Sequence, residues 1–371
     1  MREEEKTYPV LKVDLDAVRT NARVVCELCA GKGIEVAGVI KFSDGDLAIA
    51  EAYSSGGCRQ IASSRTVHLK RIKEEMPQIR TMLIRIPMLS ETEEVAQYCD
   101  ISLNSEESVL DRLNEEAAKY DKIHDVILML DVGDRREGIM GSDRLTELAV
   151  KVENEMEHLH LLGVGSSFAC ASGVLPDWDN LSELAACAEQ VEEAIGRELE
   201  IVSGGSSITL TLLTADKPVP QKINHLRIGG AIANPMGIRK NRGVVIEGAR
   251  EDAFEIAAEI VEIADKPSAP AGARKNWAGQ TIECEDRGIR RRALVALGSQ
   301  DIGDPKQLIP LDEGMGIVGG SSDHTIVDVT ECGKELLPGD TISFRAFYMP
   351  LLYCFATRHV NIVHQGVSTV G

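Results

Sequence analysis

The stretch Ile34–Lys41, IEVAGVIK, with FSDGD at residues 42–46 behind it, decides how the chain is read. It is a short apolar run, rich in β-branched residues, that stops on a lysine and a Gly/Asp turn. Such a run reads as a buried strand. Similar runs recur at Gln60–Ser63, Thr81–Ile86, Ile101–Leu103, Asp125–Asp131, Leu159–Ser166, Leu199–Ser203 and Gln221–Ile228. Between them lie segments with apolar residues at helical spacing, among them Asp46–Ser55, Thr66–Glu75, Ser105–Lys119, Leu145–Glu157 and Asn180–Ile195. Strand and helix in alternation argue for a parallel sheet. Eight such units argue for a closed (β/α)₈ TIM barrel rather than an open sheet. No repeat of fixed period is present.

From about residue 240 the texture changes. Short β-branched runs, punctuated by Gly, Pro and Asp, appear at Val244–Ile246, Gln280–Cys284, Arg292–Leu297, Gly316–Val318, Thr325–Val329, Thr341–Phe344 and His359–Val363. One helical pattern, Glu251–Glu262, interrupts them, and Lys266–Trp277 reads as an exposed loop. The expected division is a barrel over residues 13–235 and a mainly β C-terminal domain over 236–371 that also takes residues 1–12.

The formal charge of −19 repels phosphate backbones, so nucleic acid is not an expected partner. No apolar run is long enough to span a bilayer, and none follows the charged start as a leader would. The nine cysteines are scattered, and Cys26 and Cys29 form a C-x-x-C on a helical pattern without a second pair. Thiols on a helix are the better reading than zinc or redox chemistry, so no metal is expected and a reducing cytoplasm fits.

In a barrel, reactive groups sit at the C-terminal ends of strands. Lys41 ends its strand there, partly desolvated and able to form a Schiff base, although a lysine at a strand end can also simply snorkel. Gly204-Gly205-Ser206-Ser207 follows one late strand and Gly229-Gly230 ends another, beside Arg227. Glycine-bared amides and serine hydroxyls in two consecutive units suit a phosphate. Arg136, in DVGDRREGI (131–139), could fork a carboxylate or pair with a loop aspartate. In the second domain, GIVGGSSDHTIVDVT (316–330) contains Ser322, Asp323 and His324, which locally read as turn residues.

The ordered set GVIKFSDGD, DVGDRREGI, GVGSSFAC, EIVSGGSS, HLRIGGAI, VALGSQD, GSSDHTIVDVT and PGDTISF spans essentially the whole chain and resembles the alanine racemase family, in particular its ornithine racemase-like branch. The resemblance implies a barrel that binds pyridoxal 5′-phosphate (PLP), a β domain after it, and an amino-acid racemase working as a head-to-tail homodimer. Lys41 matches the lysine that holds the cofactor and moves the Cα proton on one face. Arg227 matches the arginine facing the pyridine nitrogen, a cation that gives the ring no full proton. Ser206, Gly229 and Gly230, with Ser207 beside them, match the phosphate cup. Arg136 matches an arginine near the cofactor oxygen and the substrate carboxylate. Ser322 and Asp323 match a loop that reaches the partner subunit's site.

The chain departs from that pattern on the opposite face. Ser299 stands where alanine-type members carry a tyrosine as second base. Met129 replaces a carbamylated lysine, Ser167 replaces a histidine packed on the cofactor ring, and a further tyrosine is lost around Gly45. A serine hydroxyl holds its proton too tightly to act as a base, so the second base is sought among His324, Asp323 and Asp301, with Tyr348 as fallback. His324, with an ordinary pKa of about 6.5, is preferred. The substrate implied is ornithine or lysine, or alanine or serine, with Asp44 and Asp177 as candidate partners for a distal amine. Competing readings are a PLP-homeostasis protein without turnover, a PLP decarboxylase or aldolase on the same barrel, and a barrel without PLP. The first leaves the residues after 240 unexplained, and Arg227 argues against the second.

Overall fold

A computed structural model describes residues 8–272 and 285–366. The sixteen strands, in chain order, are β1 (Val10–Asp14), β2 (Glu35–Val39), β3 (Gln60–Ser63), β4 (Thr81–Leu83), β5 (Ile101–Asn104), β6 (His124–Met129), β7 (Leu159–Ser166), β8 (Ile201–Ser206), β9 (His225–Ile228), β10 (Phe254–Pro267), β11 (Ile289–Val295), β12 (Leu308–Pro310), β13 (Gly316–Gly320), β14 (Thr325–Asp328), β15 (Thr341–Ala346) and β16 (Asn361–Gln365). The contacts divide the chain into two compact units, Leu15–Ala253 and a second built from β1 with Phe254–Gln365.

In the first unit β2 to β9 pair in parallel and close, β9 returning to β2 through the register Glu35↔His225 to Gly38↔Ile228. All eight barrel runs read from sequence are strands here. Closure fills the barrel with side chains such as Ala37, Val39, Met82, Leu103, Ile127 and Met129. The helix Leu15–Ala30 buries Leu15, Val18, Ala22, Val25 and Cys29, a 3-4-3-4 spacing that puts one apolar stripe inward. Asn21 on that helix holds the backbone of Arg250 from both sides, with its Nδ2 donating to the carbonyl at 2.9 Å and its Oδ1 accepting from the amide at 2.6 Å. That clamp, and the helix Pro235–Arg242, belong to the barrel unit.

The second unit is an eight-stranded, mostly antiparallel sheet in the order β12-β15-β10-β11-β14-β13, with β1 beside β10 and β16 parallel to β1. Two expectations fail here. Glu251–Glu262 is not a helix: most of it enters the long strand β10. Its Ala and Glu residues favour a helix, but Ile256 and Ile260 are β-branched and both edges find partners. The first half pairs with β1 and β15, and the second half, beyond a register break between Ile260 and Glu262, pairs with β11. Val244–Ile246, in the barrel unit, alternates in burial like a strand but has no pairing partner among the described residues and is irregular. Conversely, the helix Tyr348–Ala356 was not expected. The expected strand Gln280–Cys284 lies outside the described residues, as does the Lys266–Trp277 loop from residue 273. Among the described residues no helix is long and apolar enough to cross a membrane.

Candidate active site

Lys41 opens a single 3₁₀ turn, Lys41–Ser43, directly beyond β2. Phe42 is buried, and the Ser43 hydroxyl donates to the Ile40 carbonyl at 2.9 Å, which fixes the turn. Asp44 follows with φ 50° and accepts at Oδ1 from His68 Nε2 at 3.0 Å. At Gly45, φ is +73° and an added Cβ would come within 2.8 Å of the His68 Cβ, so the tyrosine lost from this neighbourhood has no room at that position. The Lys41 side chain reaches solvent, yet the surrounding walls remove enough water that desolvation lowers its ammonium below the ordinary lysine range. Arg136 lowers it further, while Cys170 and Glu137 oppose the shift.

Arg227 lies on β9 and is buried. Its Nη1 donates to Ser203 Oγ at 2.5 Å, and its Nη2 donates to the Ser166 carbonyl at 2.8 Å and Ser167 Oγ at 3.4 Å. It forms no ion pair among the described residues. A guanidinium held only by neutral acceptors is expensive to bury, and desolvation pushes it down to about 10.

The loop after β6 is pinned at its ends. The Ile139 amide donates to the Met129 carbonyl at 2.7 Å, and the Asp131 amide donates to the Ile139 carbonyl at 3.0 Å. Within it Asp131 pairs at 3.6 Å with Arg135, so the bland reading of a loop salt bridge holds for that arginine. Arg136 turns the other way. Its Nε and Nη2 both donate to the carboxylate of Glu137, and its Nη2 also reaches Ser167 Oγ at 3.3 Å. The Ser167 hydroxyl donates to Glu137 Oε1 at 2.8 Å. Ser167, which stands where the family pattern has a ring-packing histidine, thus joins Arg136, Glu137 and Arg227. Met129 is fully buried and apolar.

Gly204, Gly205 and Ser206, expected as a turn, lie in the last part of β8 instead, and this strand end adjoins the Gly229-Gly230 turn after β9. The Ala231 amide donates to Ser207 Oγ at 3.1 Å, which ties the end of β8 to the short helix Gly230–Ala233. Above Gly230 the space is open, with Ser207 Oγ the nearest atom to an added Cβ at 3.8 Å. Ser206 and Ser207 are half-exposed.

The barrel unit therefore sets Lys41 and Arg227 each within electrostatic reach of Arg136, Glu137 and Cys170. Cys170 is exposed, its amide held by the buried Asp134. Neither Glu137 nor Cys170 was singled out from sequence. Glu137 lay inside a quoted motif, but a carboxylate next to two arginines carries no signal of which one it serves.

The second unit gathers another set. Gly298 lies against the 321–324 loop so closely that an added Cβ would come within 2.2 Å of the Ser322 carbonyl oxygen. The Ser299 and Gln300 amides donate to the Ser321 and Ser322 carbonyls at 2.9 and 3.0 Å. Asp323 accepts from Gln300 Nε2 at 2.9 Å and from the Ser322 hydroxyl at 2.6 Å, and the His324 amide donates to Ser321 Oγ at 3.2 Å. Asp301 caps its own turn at the Gly298 amide. The Tyr348 phenol is pushed up to about 12 by burial, which keeps its proton in place. Asp177 is the N-cap of helix Trp178–Ile195.

The model of the alanine racemase N-terminal domain matches residues 13–234. The ornithine racemase of Acetoanaerobium sticklandii is 37% identical over 355 residues, covering 95% of this chain and 99% of that protein. This chain belongs to the alanine racemase family. It is an amino-acid racemase. The lysine racemase of Thermotoga maritima is 35% identical over 96% of the chain and 99% of its own length. The fold of the Streptomyces coelicolor alanine racemase superposes with a TM-score of 0.74 over 96% of this racemase and 97% of that chain, at 18% identity. A D-threonine aldolase from Filomicrobium marinum shares the fold at a TM-score of 0.70 and 16% identity.

Proposed function

We propose that this racemase is PLP-dependent and interconverts the enantiomers of a basic amino acid of the ornithine or lysine type by two-base proton transfer at Cα. The observation that carries the reading is that Lys41 and Arg227 each lie within electrostatic reach of Arg136, with the glycine-rich end of β8 adjoining the Gly229-Gly230 turn. The names and near-complete coverage of the ornithine and lysine racemases support the substrate class.

The residues fit the cofactor. Lys41, its ammonium lowered by desolvation, suits covalent attachment to an aldehyde. Ser206, Ser207 and the open backbone at Gly230, with Gly229 packed against Val39 beside it, suit a phosphate. Arg227, a buried cation without an ion-pair partner among the described residues, suits a neutral ring nitrogen. When bound, PLP supplies an electron sink for the carbanion at Cα.

The chain's own residues do the rest. Lys41 takes or returns the proton on one face. Arg136 has Nε and Nη2 committed to Glu137, and its Nη1, which bonds to nothing among the described residues, is left for the substrate carboxylate. The Ser322–Asp323 loop is a second carboxylate contact. His324, or failing it Asp323, is the acid/base of the other face. The 322–324 loop of one subunit serves the other's barrel in a head-to-tail homodimer. Free thiols at the described cysteines suit a reducing cytoplasm.

The test is purification with PLP, a visible spectrum before and after Lys41→Ala, and chiral chromatography after incubation with single L-amino acids. We expect cofactor absorbance that the substitution abolishes, and D-product from L-ornithine or L-lysine above that from L-alanine or L-serine. Absorbance without any D-product would overturn the proposed reaction. No absorbance would overturn Lys41 and the cofactor together.

A further inference from the structure

We infer that Glu137 is a positioning residue, holding Arg136 with its Nη1 open to substrate and setting the charge balance around Lys41. The inference rests on the functional reading above for Arg136 and Lys41, and extends it to a residue that the reading leaves without a role.

The geometry is specific. Both Glu137 oxygens are engaged by the Nε and Nη2 edge of Arg136, and Oε1 also accepts from Ser167, itself contacted by Arg227. A two-point grip on one edge of a planar guanidinium fixes its orientation and leaves the opposite end free. The grip is preorganised: Glu137 lies two residues before Ile139, whose amide and carbonyl lock the loop to Met129 and Asp131. The Glu137 side chain is 15% exposed and that of Arg136 42%, so the carboxylate forms the wall and the arginine presents outward.

The loop's other acids are spoken for. Asp131 Oδ1 accepts from the Gly133 amide at 2.7 Å and the Arg135 amide at 3.3 Å. Asp134 accepts from the amides of Cys170 and Ala171 and from the Ser172 hydroxyl. Met129 brings no charge. Lys41 faces Arg136, Glu137 and Cys170, and Arg227 stands beyond Ser167, so Glu137 is the carboxylate set among three cations. Cys170 and, more weakly, Glu137 hold the Lys41 ammonium up against desolvation and Arg136, and Glu137 is itself kept below the ordinary carboxylate range by Arg136 and Ser167, against desolvation.

Glu137→Gln removes the charge and keeps the shape, and Glu137→Asp keeps the charge. Two measurements follow on the full-length protein, after thermal melting has shown that each variant folds. In the first, the cofactor-free protein is labelled with trinitrobenzenesulfonate across pH, and modification at Lys41 is quantified by peptide mass spectrometry. We expect the Lys41 midpoint to move to lower pH in Glu137→Gln and to return toward wild type in Glu137→Asp. In the second, steady-state kinetics on ornithine and alanine should show KM rising about tenfold or more for both in Glu137→Gln, with a smaller change in kcat, because the α-carboxylate is common to both substrates. An unmoved Lys41 midpoint together with unmoved KM would overturn the inference. So would a Glu137→Asp variant as impaired as Glu137→Gln in both, since the charge would then not be the cause. A wild type that racemises nothing would overturn the functional reading, while the labelling would still decide the electrostatic half of this one.

Discussion

Arg136 has two of its three nitrogens engaged by Glu137 and a third with no partner among the described residues, and this division makes its role measurable. A charge-assisted hydrogen bond to a carboxylate is worth about 1.5–3 kcal/mol. Arg136→Ala should therefore raise KM roughly 10- to 100-fold for every amino acid accepted. A rise confined to basic substrates would instead mean that Arg136 reads the side chain and not the α-carboxylate. At this scale the sequence was legible where a residue is punctuation. Lys41 ends an apolar run, and Arg227 stands just before a Gly-Gly pair, so strand-end logic found both. It was silent where function depends on a rotamer. Nothing in DRREG says that Arg135 turns to Asp131 while Arg136 turns to Glu137, because side-chain direction on a loop follows from loop closure, here the Met129–Ile139 bond.

Barrel strands carry buried polar pairs as well as apolar residues, and these give the elements a pH signature. On β6, His124 donates from Nδ1 to the Cys99 carbonyl and accepts at Nε2 from Ser102; on β9, His225 bonds Ser203 at 2.8 Å through Nδ1. Burial pushes them down to about 4 and about 3 respectively, so the fold holds both neutral. In the unfolded chain a histidine titrates near 6.5, within roughly a unit. Above that pH both states are neutral and the pair contributes nothing to the pH dependence. Below it the unfolded chain binds more protons, so stability falls as pH drops toward 4. Thermal melting between pH 7 and 4 should show that decline, and a His124→Gln/His225→Gln double variant should flatten it. Parallel slopes would assign the acid loss to other groups. Element identity was readable in the barrel because buried parallel strands are continuous apolar runs bounded by turns. It failed at β10, where FEIAAEIVEI satisfies helical and strand spacing alike and only the partners on both edges select the strand.

Across the whole molecule, the proposed catalytic and binding groups fall into two sets, one in each compact unit: Lys41, Arg136 and Arg227 in the barrel unit, and Ser322, Asp323 and His324 in the β unit. Repetition made the first unit legible, since eight strand–helix periods allow few arrangements other than a closed barrel. The second unit has no such period. Its sheet joins β1, from the start of the chain, to β10 and β16 from its far half, pairings with sequence separations that no local pattern announces. The division into sets gives the proposed head-to-tail dimer a sharp consequence. If His324 of one subunit completes the barrel site of the other, Lys41→Ala and His324→Ala homodimers are both inactive, yet a mixed dimer regains one intact site. Subunits exchanged or co-expressed in equal amounts and paired at random would then recover about a quarter of wild-type activity, half the dimers each carrying one working site of two. Recovery at that level, with differently tagged subunits confirming the mixed species, would place the two sets in trans. No recovery, alongside a proven mixed dimer, would mean that each subunit completes its own site or that His324 is not the second base. His324→Ala alone separates these, because only a true second base loses proton exchange on one face of Cα while keeping it on the face served by Lys41.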